Sequence, residues 1–182
     1  MAAELFARKG FRATTVRDIA DAAGMLSGSL YHHFDSKERI ADELLSAFLN
    51  DLTTRYRAVI DAGEPPRRTF ERLVEVSFDA MPEHQAAIVV YQQDADYLAQ
   101  LPGFGYIDST GEQIERWWVD VLRAGVATGE LVTGNPKLTY QFVRDAIWIS
   151  VRWFRPEGSW TPRHLSDHFL ATVVNGLAPR PL

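Results

Sequence analysis

Apolar and polar residues recur with the period of an α-helix along nearly the whole chain. In residues 14–23 the apolar positions lie three or four apart and form one stripe on a helix. These positions are Val16, Ile19, Ala20 and Ala23. Thr15 and Asp18 have the spacing of a capping box at the start of this helix, and Gly24 is the residue type that ends one. The stretch therefore predicts a short helix with defined ends.

A second short helix is predicted from Ser27 to Phe34. Its apolar residues point inward, and its other face carries hydroxyl and imidazole groups that hydrogen-bond to phosphates or base edges. These polar residues are Ser29, Tyr31, His32 and His33. Two short helices joined by a tight turn are typical of a helix-turn-helix, whose second helix enters the major groove of DNA.

The helical period continues to the end of the chain, and no stretch alternates as a strand does. The first helix is predicted from Met1 to Lys9, and a long helix capped by Ser36 runs to about Ala62, where Gly63-Glu64-Pro65-Pro66 ends it. Five further helices are predicted at 67–80, 82–100, 106–125, 137–154 and 162–177. The fold class is therefore all-α, with a small N-terminal head and a larger helical body.

Composition narrows the class of protein. The chain has 182 residues, 46% of them hydrophobic, so a sizeable core is available. It has no cysteine, which excludes disulfides and thiolate metal sites. No run approaches the ~20 apolar residues that span a bilayer, and the N-terminus is too short and too acidic for a signal peptide. We therefore expect an intracellular protein with no membrane partner.

The net charge of −5 argues against a protein that coats nucleic acid non-specifically. A DNA reader needs only a local cationic patch, however. Five cations lie around the predicted helix-turn-helix: Arg8, Lys9, Arg12, Arg17 and Lys37.

Two runs of sequence now point to a known family. Residues 30–38, Leu-Tyr-His-His-Phe-Asp-Ser-Lys-Glu, resemble the Leu-Tyr-x-His-Phe-x-Ser-Lys-Glu signature of TetR-type repressors. Residues 3–11 match the end of that family's first helix. The resemblance implies a three-helix DNA-binding head in residues 1–46 and a ligand-binding and dimerisation body in residues 47–182. It also implies a homodimer on palindromic, double-stranded operator DNA in the bacterial cytoplasm, associated with the nucleoid.

The resemblance further implies a set of DNA contacts: Thr15, Arg17, Ser27, Ser29, Tyr31, His32, His33 and Lys37. Tyr31, His33 and Lys37 match positions that hold phosphates, whereas Ser29 and His32 are placed for base edges or flanking phosphates. Each also has an ordinary interpretation as a cap, a core edge or a solvated surface group. Many members carry a basic arm before the first helix. This chain starts partway into that helix, so the arm is either absent or truncated.

Residues 140–155 form an unusual helical stretch. Arg144, Trp148 and Arg152 lie four apart and are expected to form one stripe on an otherwise aliphatic and aromatic helix. Burying an unpaired charge is costly, so these arginines need partners. Asp145 and the face of Trp148 are two candidates. An anionic ligand, or an acid across a dimer interface, would also serve.

Segments 10–21, 26–34, 118–122, 142–145 and 148–156 resemble a narrower group within the family, the KstR-type repressors of steroid catabolism. This resemblance implies control of genes that degrade the last two steroid rings (C and D). It implies as effector the CoA thioester of a bicyclic, propanoate-bearing ring remnant, bound by Arg144, Trp148 and Arg152. An elongated pocket is expected to be lined by Phe78, Tyr91, Trp117, Trp118 and Trp148. The alternative is a TetR-type regulator of other fatty-acid, acyl-CoA or efflux genes.

Other classes of function fit the sequence less well. The hydroxyl, imidazole and carboxylate groups of residues 27–35 lie on one short helix and its exit and do not converge on a cleft, so we expect no enzyme and no cofactor. His164 and His168 have a spacing that can hold a metal, but two ligands do not make a site. A multidrug-type regulator of lipophilic cations is opposed by the arginines of the 140–155 helix.

Overall fold

The structure, a computed structural model, describes residues 1–25 and 35–175. The regular elements in these ranges are helices: α1 (Ala2–Lys9), α2 (Val16–Ala22), α3 (Lys37–Asp61), α4 (Pro66–Asp79), α5 (Met81–Leu98), α6 (Tyr106–Thr128), α7 (Pro136–Ile149) and α8 (Pro162–Asn175). One turn of 3-10 helix, Ser150–Arg152, follows α7. The prediction of an all-α fold is confirmed. The predicted helix from Ser27 to Phe34 lies outside the described residues.

The predicted capping box at the start of α2 is present. The Thr15 hydroxyl accepts the Asp18 backbone N–H at 3.1 Å, and the Asp18 carboxylate accepts the Thr15 backbone N–H at 2.8 Å. The Lys9 ammonium also donates to Asp18 at 2.8 Å, and this bond holds the pKa of the carboxyl well below its ordinary value. Gly24 follows the helix with φ of 64°, the left-handed conformation expected of it. Both ends of α2 are therefore set by local interactions.

By its internal contacts the chain forms two compact units, and the first comprises residues 1–53 and 84–112. Residues 84–112 are thus grouped with the N-terminal segment, and the division into a DNA-binding head (1–46) and a ligand-binding body (47–182) stays a prediction. Phe6 and Phe11 are buried against each other, with ring centres 5.3 Å apart. The backbone N–H of Phe11 donates to the buried Asp94 carboxylate at 3.0 Å. The turn after α1 is thereby tied to α5.

The second unit comprises residues 54–83 and 113–182, described as far as residue 175. Its core includes Trp118, which packs edge-on against Tyr56 and Phe70. Helices α4 and α8 pack together through Phe78 and Phe169, whose ring centres lie 5.7 Å apart. None of the described helices is long and apolar enough to cross a membrane.

Candidate DNA-binding and effector sites

Thr15 and Arg17 lie at the start of α2, where the sequence predicts phosphate contacts. The Thr15 hydroxyl is exposed, and it is already engaged with Asp18. The Arg17 guanidinium is exposed, with Nε 3.8 Å from the Asp21 carboxylate one turn further along. Because such exposed ion pairs contribute little free energy, Arg17 can exchange this partner for a phosphate.

Five of the predicted DNA contacts lie outside the described residues: Ser27, Ser29, Tyr31, His32 and His33. Their assignment stays a prediction.

Lys37 has a second role that the sequence did not predict. Its ammonium donates to the backbone carbonyls of Phe11 and Thr14, each at 3.0 Å, and to that of Arg12 at 3.4 Å. It also lies 4.5 Å from the centre of the Phe11 ring. An ammonium has three N–H donors, so the turn between α1 and α2 occupies all of them. Phosphate binding by Lys37 stays a prediction, and it would have to compete with these carbonyls.

A Lys37→Met variant separates the two roles. The substitution keeps an apolar stem but leaves three carbonyls without their donor, so we expect the free energy of unfolding to fall by about 1–3 kcal/mol. The matched control is Arg17→Met, which removes an exposed cation and is expected to weaken operator binding with little change in Tm. Thermal unfolding and operator titration of both variants provide the measurement. An unchanged Tm for Lys37→Met would assign Lys37 to phosphate binding alone.

Arg144 is half-buried on α7 and has two neighbours on its own helix. Its Nε donates to the Asp145 carboxylate at 2.8 Å, and its guanidinium carbon lies 5.5 Å from the centre of the buried Tyr140 ring. Burial opposes the charge most strongly, but the hydrogen bonds and charges of Asp145 and Tyr140 together outweigh it and raise the pKa of Arg144. The guanidinium therefore stays charged, and it lies over Tyr140, a neighbour that the sequence analysis did not name.

Arg152 does not continue the helical stripe of Arg144 and Trp148. Helix α7 ends at Ile149, and Arg152 lies exposed in the 3-10 turn that follows. The predicted helix 137–154 is therefore wrong in its last turn. The buried Ser150 hydroxyl donates to the Ile147 carbonyl at 2.5 Å, and Ser150 and its neighbours wind more tightly than an α-helix. Only Arg144 and the half-buried Trp148 share the face of α7.

The aromatic residues expected around one pocket have separate neighbours. Phe78 is buried against Phe169, and Trp117 is half-buried beneath the guanidinium of Arg57, 4.8 Å from its ring centre. Tyr91 belongs to the first unit, where its ring lies 6.2 Å from that of Phe48.

Trp118 connects to the predicted effector residues. Its ring centre lies 6.1 Å from that of Tyr140, the residue beneath Arg144. Sequence reasoning missed Tyr140, although a tyrosine one turn before a predicted anion-binding arginine on the same helix is a readable signal. The Tyr140 ring therefore contacts both the Arg144 guanidinium and the Trp118 ring of the core.

A groove of about 290 Å³ opens between α4 and α8. Its charged lining residues are Arg67, Arg68, Glu71, Glu75, Arg163 and Asp167. The positive and negative groups are equal in number and pair with one another, for instance Arg68 with Glu75 at 3.2 Å. This groove therefore offers no net attraction to an anion.

The two histidines considered as metal ligands are exposed on α8. The Nδ1 atom of His164 accepts the backbone N–H of Thr161 at 3.3 Å, and the His164 N–H returns to the Thr161 hydroxyl at 3.2 Å. His164 thus takes part in the first turn of α8.

Comparison with known proteins covers both halves of the chain. Residues 1–44 match the family described as bacterial regulatory proteins, tetR family. Residues 63–177 match the tetracyclin repressor-like C-terminal domain. This chain belongs to the TetR family. Its members are transcriptional regulators, which confirms the prediction that the chain is a DNA-binding regulator and not an enzyme.

Relatives of this TetR-family protein match it over nearly its full length. The transcriptional repressor KstR2 of Mycobacterium tuberculosis H37Rv is 47% identical over 178 residues, which cover 97% of this chain and 89% of the relative. KstR2 of Rhodococcus jostii RHA1 is 45% identical over 98% of this chain and 88% of its own length. The solved structure of the ketosteroid transcriptional regulator KstR2 of M. tuberculosis superposes with a TM-score of 0.91 at 46% identity, covering 98% and 92% of the two chains. The similarity to KstR-type repressors is confirmed.

Proposed function

We propose that this TetR-family protein is a ligand-responsive repressor in the bacterial cytoplasm. It binds palindromic operator DNA as a homodimer and is released by a CoA thioester from steroid ring degradation. The observation that carries the proposal is the near full-length similarity to KstR2 repressors, which includes the body as well as the head.

The side chains of α7 support an anionic effector. Arg144 provides a guanidinium beside buried aromatic rings, and Arg152 provides an exposed one in the following turn. A CoA thioester combines phosphate groups, which suit the forked donors of arginine, with an apolar acyl group, which suits an aromatic core. In this proposal Arg144, Trp148 and Arg152 hold the effector.

The surface of α7 supports a homodimer. Leu138, Phe142 and Ile149 are exposed on this helix, and Phe142 is 70% exposed. Large apolar side chains grouped in this way on a surface are typical of a protein interface. A two-fold axis through this face would present two heads to the two halves of a palindromic operator.

Induction then follows from differential binding. The effector binds more tightly to a state of the dimer whose two heads are wrongly spaced for the operator. Helix α3 carries the chain from the first unit into the second, and we propose it as the element that transmits this change.

The decisive experiment is release of operator DNA. Palindromes from the protein's own genomic neighbourhood are labelled, and their complex with the protein is followed by fluorescence anisotropy. The complex is titrated with the CoA thioester of a propanoate-bearing bicyclic ketone, a long-chain fatty acyl-CoA, the free acids and a lipophilic cationic dye.

We expect the bicyclic thioester to release the DNA and the free acid to fail at the same concentration. Release by the fatty acyl-CoA alone would indicate a regulator of fatty-acid genes. Release by the dye alone, or a protein that binds none of the palindromes, would contradict the proposal.

A further inference from the structure

One face of α5 contacts the turn between α1 and α2 at two points. The Asp94 carboxylate accepts the Phe11 backbone N–H at 3.0 Å. Tyr97, three residues further along and so on the same face of the helix, has its ring centre 6.3 Å from that of Phe11. The Arg12 guanidinium carbon lies 5.0 Å from the centre of the same Tyr97 ring. Helix α5 therefore binds this turn through both a polar and an aromatic contact.

Asp94 is a buried carboxylate, only 8% exposed. Burying such a group is costly unless it is hydrogen-bonded, so an apolar residue would pack here at a lower cost. Its donor is buried as well, because Phe11 is 1% exposed. The Phe11 N–H also lies beyond the last helical bond of α1, which runs from the Gly10 N–H to the Phe6 carbonyl at 2.8 Å. Asp94 thus provides the acceptor that this N–H requires.

Phe11 is held on both sides by charged groups from two different helices. Asp94 of α5 accepts its N–H, and the Lys37 ammonium of α3 donates to its carbonyl at 3.0 Å. Hydrogen bonds to charged groups are stronger than neutral ones and depend on direction as well as distance. The two bonds therefore fix both the position and the orientation of the backbone at Phe11, which apolar contacts alone would not do.

The path from Phe11 to α2 is short and constrained. Thr15 caps α2 only four residues after Phe11. Between them, the fully buried Thr14 donates its hydroxyl to the Gly10 carbonyl at 2.8 Å and its own carbonyl accepts from Lys37. The orientation of α2, with the predicted phosphate contacts Thr15 and Arg17 in its first turn, therefore depends on where Phe11 is held.

Asp94 lies outside the part of the chain that matches the DNA-binding family. That match covers residues 1–44, whereas Asp94 falls within the match to the C-terminal domain, residues 63–177. By internal contacts, however, Asp94 belongs to the same compact unit as the N-terminal segment. A residue of the C-terminal domain thus completes the hydrogen bonding of the DNA-binding segment.

We propose that Asp94 is a positioning residue for operator binding: by accepting the Phe11 N–H, it holds α2 in the orientation that fits the operator. The buried carboxylate itself makes no contact with DNA. This inference rests on the proposed function only in that operator DNA is the ligand. Without the bond the turn adopts other orientations, and the apparent operator affinity falls in proportion to the fraction that stays competent.

Three variants test the inference. Asp94→Ala removes the acceptor, and Asp94→Asn keeps an acceptor oxygen but removes the charge. The matched control is Asp96→Ala, which removes an exposed carboxylate from the same helix. Each protein is titrated by fluorescence anisotropy against labelled palindromes from its own genomic neighbourhood and against a shuffled duplex of equal length. The temperature is one at which circular dichroism shows every variant to be folded.

We expect Asp94→Ala to bind the operator about 10- to 100-fold more weakly than the native protein. Binding to the shuffled duplex is expected to change less than about threefold, because phosphate contacts tolerate a loosely oriented head and base contacts do not. Asp94→Asn is expected to recover operator affinity to within about fivefold of the native value, since its amide oxygen still accepts the N–H. Asp96→Ala is expected to bind as the native protein does.

Three results would overturn the inference and leave the proposed function standing. The first is native operator affinity in Asp94→Ala. The second is an equal loss on both duplexes, which would indicate general damage to the fold. The third is an Asp94→Asn variant as weak as Asp94→Ala, because the charge and not the bond to Phe11 would then matter. Failure of the native protein to bind any palindrome would overturn both proposals.

Hydrogen exchange of the native protein keeps the inference testable if Asp94→Ala does not fold. The exchange rate of the Phe11 amide is measured by NMR, free and with operator at about 100 times its Kd. If the bond to Asp94 is required for operator binding, the operator suppresses its opening, and exchange slows at least about tenfold. The control is the Leu131 amide, bonded to the Gly125 carbonyl at 3.0 Å in the second unit, which should change less than about twofold. An unchanged rate at Phe11 would overturn the inference.

Discussion

A Phe142→Asp variant is expected to be monomeric and to bind operator DNA about 100- to 10,000-fold more weakly than the native protein. Phe142 is 70% exposed on α7, between the exposed Leu138 and Ile149. In a two-fold dimer each substitution occurs twice, and each places a carboxylate where an aromatic ring is proposed to be buried. A monomer binds only one half of the palindrome. It therefore lacks the additional affinity that a dimer obtains from two linked heads.

The control for this variant is Val132→Asp. Val132 is 99% exposed and lies in the loop between α6 and α7. Its substitution by aspartate adds the same charge as Phe142→Asp but leaves the apolar face of α7 unchanged. Light scattering coupled to gel filtration gives the mass of each variant, and anisotropy gives its operator affinity. A Phe142→Asp protein that stays dimeric would show that the subunits meet elsewhere.

Arg152→Ala is expected to raise the effector concentration needed for release by about 10- to 100-fold while operator affinity changes less than about twofold. The Arg152 guanidinium is exposed in the 3-10 turn after α7, and we propose that it binds a phosphate of the effector. Its loss removes a charge-assisted contact from the effector site and leaves the head intact. The measurement is release of labelled operator at increasing thioester concentration.

Two further variants sharpen this prediction. Arg152→Lys keeps the charge but loses the planar fork, so it should recover part of the response. Arg123→Ala removes another exposed arginine, paired with Asp120 on α6, and should behave as the native protein does. Equal loss of induction and operator binding in Arg152→Ala would contradict the division of labour between head and body.

Local signals predicted most of the helix ends correctly. Thr15 with Asp18 forms the capping box, and Gly24 adopts the left-handed conformation. The Ser36 hydroxyl accepts the Arg39 backbone N–H at the start of α3. Each of these interactions joins residues at most three positions apart, so a short stretch of sequence contains both partners.

The end of α7 carried no such signal. Apolar residues keep their helical period beyond Ile149, yet the backbone tightens at Ser150, whose hydroxyl reaches both the Ile147 carbonyl and the Met81 sulfur. Met81 is 69 positions away in the chain, and a contact of that kind has no trace in the local pattern.

The sequence by itself determined the all-α fold class, most helix bounds and the family signature, because caps, periodicity and motif spacing are properties of neighbouring residues. Only the tertiary structure showed that the Lys37 ammonium holds the turn after α1 and that Asp94 binds the Phe11 backbone. Each of these facts depends on which distant segments meet, and Phe11 and Asp94 are 83 positions apart. Hydrogen-bond satisfaction in a core is decided by packing, and packing joins residues that no local pattern connects.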